Sequence, residues 1–286
     1  MSSSGRFRIK TGLGRILHIE HRSNRYAISA TLLAGAGTLL WRASIGADEP
    51  WMWSVRIAAA VFLAWAIGRE LDPDHPGTGA LASLVVIPFA ALGALSVAAS
   101  VAALLAARIA VRTTGFSPHW WDGAILTAGA AYLGARPETW PALGMLLLAV
   151  GTDRYAEPPG PTRTLWFGAA MTVVSLATAV AFSEPSDWTQ PTIPEWIVFA
   201  VTAVCAFLAI GYTRAPRSQA DWRPEKLSET RLRYGRVLAL FTLAVGIIFL
   251  GGPVIPTLAP LWAAASSVAV MHWYRRAMFG TTQPPM

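Results

Sequence analysis

Ten apolar runs, each 13 to 20 residues long, follow one another from Tyr26 to Trp273. They are bounded by Arg, Asp, Pro or Gly: 26–45, 51–68, 79–95, 96–111, 120–135, 140–152, 165–182, 196–211, 235–251 and 257–273. A hydrocarbon core about 30 Å thick holds no water to satisfy backbone N–H and C=O groups, so a chain patterned in this way enters it only as helices. The expected fold class is therefore all-α integral membrane, with about ten transmembrane helices arranged as hairpins. Charged residues make up only 14% of the 286, against about 25% in a soluble domain. The body of the chain, residues 26–273, reads as one polytopic transmembrane domain between a basic segment (1–25) and a short tail (274–286).

Residues 79–111 could form one helix, but Pro88, Gly93 and Ser96 interrupt them, and charge favours two. With ten spans and both termini cytoplasmic, only Arg42, Arg56 and Arg136 fall outside, so 20 of the 23 Lys and Arg residues lie inside. Merging the third and fourth runs would place the basic loop 213–234 outside, against the positive-inside rule. The tryptophans are expected at the two headgroup levels, Trp41, Trp51, Trp53, Trp140, Trp196 and Trp262 outside and Trp65, Trp120, Trp121, Trp166 and Trp273 inside, because an indole is apolar with one N–H that stays wet. The expected location is a bacterial inner membrane.

A possible hairpin repeat runs through the chain. "LAWAIGRELDPDHPGTG" from Leu63, "LLLAVGTDRYAEPPGPT" from Leu146 and "AFLAIGYTRAPRSQAD" from Ala206 each follow an acid and a Trp, in "DEPWMW", "PETW" and "IPEW". Duplicated hairpins are a common carrier construction.

The first of these stretches carries the densest polar chemistry. Glu70, Asp72, Asp74 and His75 fall within six residues, and Pro73 and Pro76 stop the helix, so the acids stand on a turn at the membrane face. Asp153 and Glu157 occupy the equivalent turn of the next hairpin. Hard oxygen ligands suit Mg²⁺, so Asp72, Asp74, Asp153 and Glu157 are the candidate metal ligands. Glu70, His75, His119 and Asp122 would form a supporting shell. Two acidic turns on one face resemble the arrangement in UbiA-type prenyltransferases, but the first turn lacks an opening Asn-Asp pair and the second is a bare D-x-x-x-E. The chain is not assigned to that family.

Elsewhere the polar residues have plainer readings. In "SPHWWDG", Asp122 either orients His119 or caps a helix. Phe7, Ile9, Leu13, Ile16 and Leu17 recur at near-helical spacing among Arg and Lys, the pattern of an amphipathic helix on the inner leaflet, next to His18 and His21. The basic loop 213–234, with Pro224 and a Glu229–Arg233 pair, suits lipid headgroups or a protein partner. Arg56, Arg108 and His272 lie near span ends, where long side chains reach water.

No P-loop, nucleophile elbow, HExxH, CxxC or dinucleotide fingerprint occurs, and "GLG" at 12–14 has no phosphate-binding context. The lone Cys205 lies in an apolar run and supplies neither an internal disulfide nor a thiolate metal site. The net charge of +7 is accounted for by topology, so nucleic acid is not an expected partner, while membrane lipids are. The leading expectation is a small carrier or binder of a small or lipophilic molecule, with no cofactor. The alternatives are a Mg²⁺-dependent enzyme acting on a lipid (prenyl) phosphate through the acidic turns, and a non-catalytic scaffold or accessory subunit.

Overall fold

The computed structural model describes residues 11–14, 17, 19–91, 93, 95–183, 189–221 and 225–279. Among these residues the chain is all-helical, with no strand beyond isolated bridges. The helices are α1 (Arg22–Ser44), α2 (Pro50–Leu71), α3 (Pro76–Ala91), α4 (Val97–Val111), α5 (Trp120–Gly134), α6 (Trp140–Thr152), α7 (Arg163–Phe182), α8 (Ile193–Gly211), α9 (Glu229–Leu250), the single turn α10 (Val254–Thr257) and α11 (Ala259–Phe279). The ten apolar runs thus each seed a helix. Four helices, α2, α7, α8 and α9, are both long and apolar enough to cross a bilayer. Helices α3 to α6, at 13 to 16 residues, reach only about 20–24 Å at 1.5 Å per residue.

The break between α3 and α4 has a local cause. The Ser96 hydroxyl accepts from the Ala99 amide at 3.2 Å, capping α4, while its own N–H donates to the Thr257 carbonyl at 3.3 Å. The first turn of α4 is satisfied in this way; Pro88, expected to interrupt the run, instead lies inside α3, and the break comes after Ala91.

At the centre, α2 packs on α3, α4 and α11, and α4 packs on α6 and α9. Helix α1 leans on α2, α8 on α11 and α9, and the α5/α7 pair joins the body chiefly through α6. The seams are closed by small residues, which let helix backbones approach closely. A Cβ on Gly134 would sit 2.4 Å from the Ser175 carbonyl of α7, and one on Gly68 would sit 3.1 Å from the Gly79 backbone of α3. Gly251 (φ +70°) ends α9 where a Cβ would lie 1.7 Å from the Thr189 carbonyl.

Outward faces are apolar. Leu32, Leu33 and Leu40 on α1, Val173, Leu176 and Val180 on α7, and Ile197, Val204 and Phe207 on α8 are all exposed. Contiguous exposure of this kind marks a surface that meets something other than water. Two tryptophans depart from the expected belts: Trp262 is fully buried, its ring 6.1 Å from that of Phe199 of α8, and Trp65 is 3% exposed. Tight packing at α11 and α2 outcompetes the interfacial preference that governs the exposed Trp41, Trp51, Trp120, Trp121, Trp166, Trp196 and Trp273.

The amino-terminal segment also differs from expectation where it is described. Residues 11–14 are bends rather than helix, and Leu13 is buried. Phe7, Ile9, Ile16 and His18 lie outside the described residues, as does Pro224 of the basic loop.

Candidate functional site

The amino ends of α1, α3, α5, α7 and α9 and the carboxyl ends of α2, α4, α6, α8 and α11 meet at one end of the bundle, where the arginines gather. Glu70, in the last turn of α2, is 1% exposed and accepts from Nε and Nη2 of Arg108 on α4, at 2.9 and 2.8 Å. Its other oxygen is bonded by the Thr113 hydroxyl, and Arg108 also donates to the Leu13 carbonyl. Arg108 therefore turns inward rather than reaching for water.

Asp72, the C-cap of α2, accepts from Thr78 at 2.6 Å, lies 2.8 Å from Nδ1 of His75 and 3.6 Å from Nη2 of Arg236 on α9. Burial holds its carboxyl above the usual carboxylate range, and the Thr78 hydrogen bond and the Arg236 charge pull the other way. Arg236 also clamps the ends of two helices, donating to the Leu71 carbonyl at 2.8 Å and the Ala209 carbonyl at 3.2 Å.

Asp153, at the C-cap of α6 and 1% exposed, sits between two guanidiniums. Arg112 donates to Oδ1 from Nε at 3.2 Å and Nη2 at 3.0 Å, and to Oδ2 from Nη2 at 3.1 Å. Arg231 of α9, also 1% exposed, donates to Oδ1 at 3.0 Å and spends its remaining N–H groups on the carbonyls of Ala110, Asp153, Ala156 and Pro158. A single carboxylate thus binds the end of α4 and the start of α9 to the turn after α6.

The remaining candidates have structural partners or face solvent. Asp74 accepts from the backbone N–H groups of Arg217 and Ser218, at 3.0 and 2.8 Å, anchoring the basic loop. Asp122 caps α5 by accepting from the His119 amide at 2.8 Å, and its carboxylate also holds the amino-terminal segment through the Gly12 amide at 2.8 Å and the Thr11 hydroxyl. Glu157 and His119 are exposed. The acids read from sequence as ligands are thus distributed over separate hydrogen-bonded clusters. Among the described residues no three His, Cys, Asp or Glu side chains gather to hold a metal ion. Cations that already occupy Asp72 and Asp153 would have to be displaced by one.

Sequence reasoning missed the partners rather than the acids. Arg108 is expected to reach for water from a span end, and Arg112, Arg231 and Arg236 count only among the 20 inside-facing cations, yet all four are bonded to α2- or α6-terminal groups. The available signal was Arg108 inside an apolar run, since a charge there is expected to find a partner. The Glu229–Arg233 pair does form, at 2.8 Å on the exposed face of α9. His272, rather than reaching water alone, stacks on Tyr212 with ring centroids 5.0 Å apart.

Against the Glu70–Arg108 pair lies a cavity of about 180 Å³ between α2 and α4. Phe62, Trp65, Ala66 and Leu104 form its apolar walls, Arg69 and Leu17 also line it, and the ion pair forms its polar end. Arg69 donates to the Asn24 side chain at 3.1 Å and lies over the Trp65 ring, 5.3 Å from its centroid. The chain matches no protein family, no curated protein and no solved structure.

Proposed function

We propose that the chain is a multi-pass inner-membrane protein that binds, and carries, a small lipophilic molecule, with the arginine end and both termini in the cytoplasm. The observation that carries the binding reading is the α2/α4 cavity. It is concave, walled by aromatic and aliphatic side chains and furnished with a few fixed polar groups, which is the make-up of small-molecule sites. An engineered apolar cavity of about 150 Å³ already admits benzene, so the space suits a body of about six to ten non-hydrogen atoms. Four bilayer-length apolar helices and the apolar outward faces of α1, α7 and α8 support the membrane setting. The arginine concentration at one end supports the orientation.

The acidic turns give less support to a metal-dependent enzyme, because their buried carboxylates neutralise arginines that would otherwise be buried unpaired. The binding reading is tested in proteoliposomes with Ala66→Phe, which fills the cavity from a wall residue that is 5% exposed. Saturable uptake of small apolar compounds by the parent, lost in a variant that still folds, is the expected result. Equal uptake by the two proteins would overturn it.

A further inference from the structure

We infer that the end of the bundle opposite the arginine cluster binds the headgroup of a zwitterionic aminophospholipid, its phosphate on Arg42 and Arg56 and its ammonium on Asp48 and Glu49, an inference that rests on the membrane reading above. Arg42 lies in the last turn of α1, and Arg56 lies six residues beyond Pro50 in α2, about 9 Å along the axis at 1.5 Å per residue. Both guanidiniums lie over one indole, that of Trp53, with their central carbons 4.7 and 5.9 Å from its ring centroid. Like charges gathered at one ring repel, and a shared anion relieves the repulsion. The third arginine expected at this end, Arg136, has Glu138 at 3.8 Å. Among the described residues Arg42 and Arg56 have no carboxylate partner. Nη2 of Arg42 lies 3.5 Å from the Asp48 carbonyl, at the limit of a hydrogen bond, and its Nε is buried with no acceptor. An indole attracts a guanidinium through its ring face, while the five N–H donors of that guanidinium still call for oxygen.

The charges of this hairpin are layered. Asp48 and Glu49 stand in the turn between α1 and α2, beyond both helix ends, where they are exposed and form no ion pair among the described residues. Arg42, Trp53 and Arg56 belong to the helices beneath that turn and are half-buried. Trp41 and Trp51, both exposed, mark the same end as headgroup level. In an aminophospholipid the phosphate lies next to the acyl chains and the ammonium farther out, so its two charges meet the opposite charges of the hairpin in the same order. A phosphodiester presents its oxygens to the guanidinium fork, and a primary ammonium offers three N–H donors to the carboxylates. A trimethylammonium offers none, and a glycerol headgroup brings no cation to Asp48 and Glu49. Exposed Leu40, Ile45 and Val55 supply apolar surface beside the site for the acyl chains.

Native mass spectrometry of the full chain provides the test, with dioleoyl phosphatidylethanolamine, phosphatidylcholine and phosphatidylglycerol added singly. Each affinity is read against the same lipid on Arg42→Gln/Arg56→Gln, because the arginine cluster at the other end also attracts anionic lipid. Phosphatidylethanolamine should bind the double variant about tenfold more weakly, the equivalent of one or two lost charge-assisted hydrogen bonds, and the other two lipids should change less than about twofold. In Asp48→Asn/Glu49→Gln, which leaves both guanidiniums in place, phosphatidylethanolamine should lose a similar factor while phosphatidylglycerol gains. Helical circular dichroism checks that both variants fold. A loss shared equally by all three lipids in the arginine variant would overturn the zwitterion, and unchanged phosphatidylethanolamine binding in either variant would overturn the site; both outcomes leave the membrane reading intact. Binding of none of the lipids, by a chain that stays in solution without detergent, would overturn the membrane reading as well.

Discussion

Replacing Asp153 by Asn isolates what a single buried charge contributes to the arginine end. The amide is nearly isosteric, so packing is kept and the anion is lost. With its oxygen in place of Oδ1, Asn retains acceptance from Nε and Nη2 of Arg112 and Nη1 of Arg231, and only the 3.1 Å bond to Oδ2 becomes an N–H facing an N–H. Hydrogen bonds to ionised acceptors contribute about 1 kcal/mol more than neutral ones, so three weakened bonds amount to about 3 kcal/mol. Two guanidiniums left facing each other without an anion bring the total toward the upper part of the range of about 3–5 kcal/mol typical of a broken buried pair. The expected loss is therefore about 4 kcal/mol. It would be measured by SDS titration in mixed micelles, with tryptophan fluorescence and helical circular dichroism as independent probes. A change below about 1 kcal/mol would refute the reasoning, because it would mean that water already neutralises Arg112 and Arg231.

Gly134→Ala should force α5 off α7, since the new Cβ would lie 2.4 Å from the Ser175 carbonyl, whereas Gly129→Ala, which meets nothing within 4 Å, should be tolerated. Thermal unfolding in detergent should show a loss of at least about 1–3 kcal/mol for the first, in line with overpacking, and no loss for the second; similar behaviour would refute the close seam. Asp72 carries a raised pKa, so the fold favours its protonated form. Its contribution to stability should be fullest below about pH 4 and should fall as pH rises through the native pKa, because the native state holds the proton longer. Asp72→Asn should flatten this slope in unfolding midpoints taken from pH 3.5 to 7, and an unchanged slope would assign it to another group.

The helices were legible because period and composition act over whole segments: each apolar run became a helix with ends within a few residues of its Pro, Gly and charge boundaries. Partners were not legible, because they depend on which helix ends meet. Nothing local in "AARIAVRTTG" says that Arg108 faces Glu70, 38 residues earlier, or that Arg112 faces Asp153, 41 residues later. The acids stood out as chemistry because they are local to one turn, while the arginines that occupy them come from α4 and α9. Trp262 was misplaced for a related reason, since its position near a run boundary says nothing of Phe199 on α8, against which its ring packs. The cavity was equally silent in the sequence, where Phe62, Trp65, Ala66 and Leu104 are indistinguishable from lipid-facing residues.

The docked segment at Thr11–Gly14 imposes an order on assembly. Gly12 donates to Asp122, 110 residues later in the chain, and accepts from Thr114, while a Cβ on it would come within 2.9 Å of the Ser117–Pro118 backbone. At synthesis rates of about 5–20 residues per second, the segment leaves the ribosome about 6–20 s before its receptor exists. During that interval Leu13 has no buried site and Arg108 has not yet been made. Docking of Gly12 thus comes only after α1 to α4 and the turn that follows them have been made.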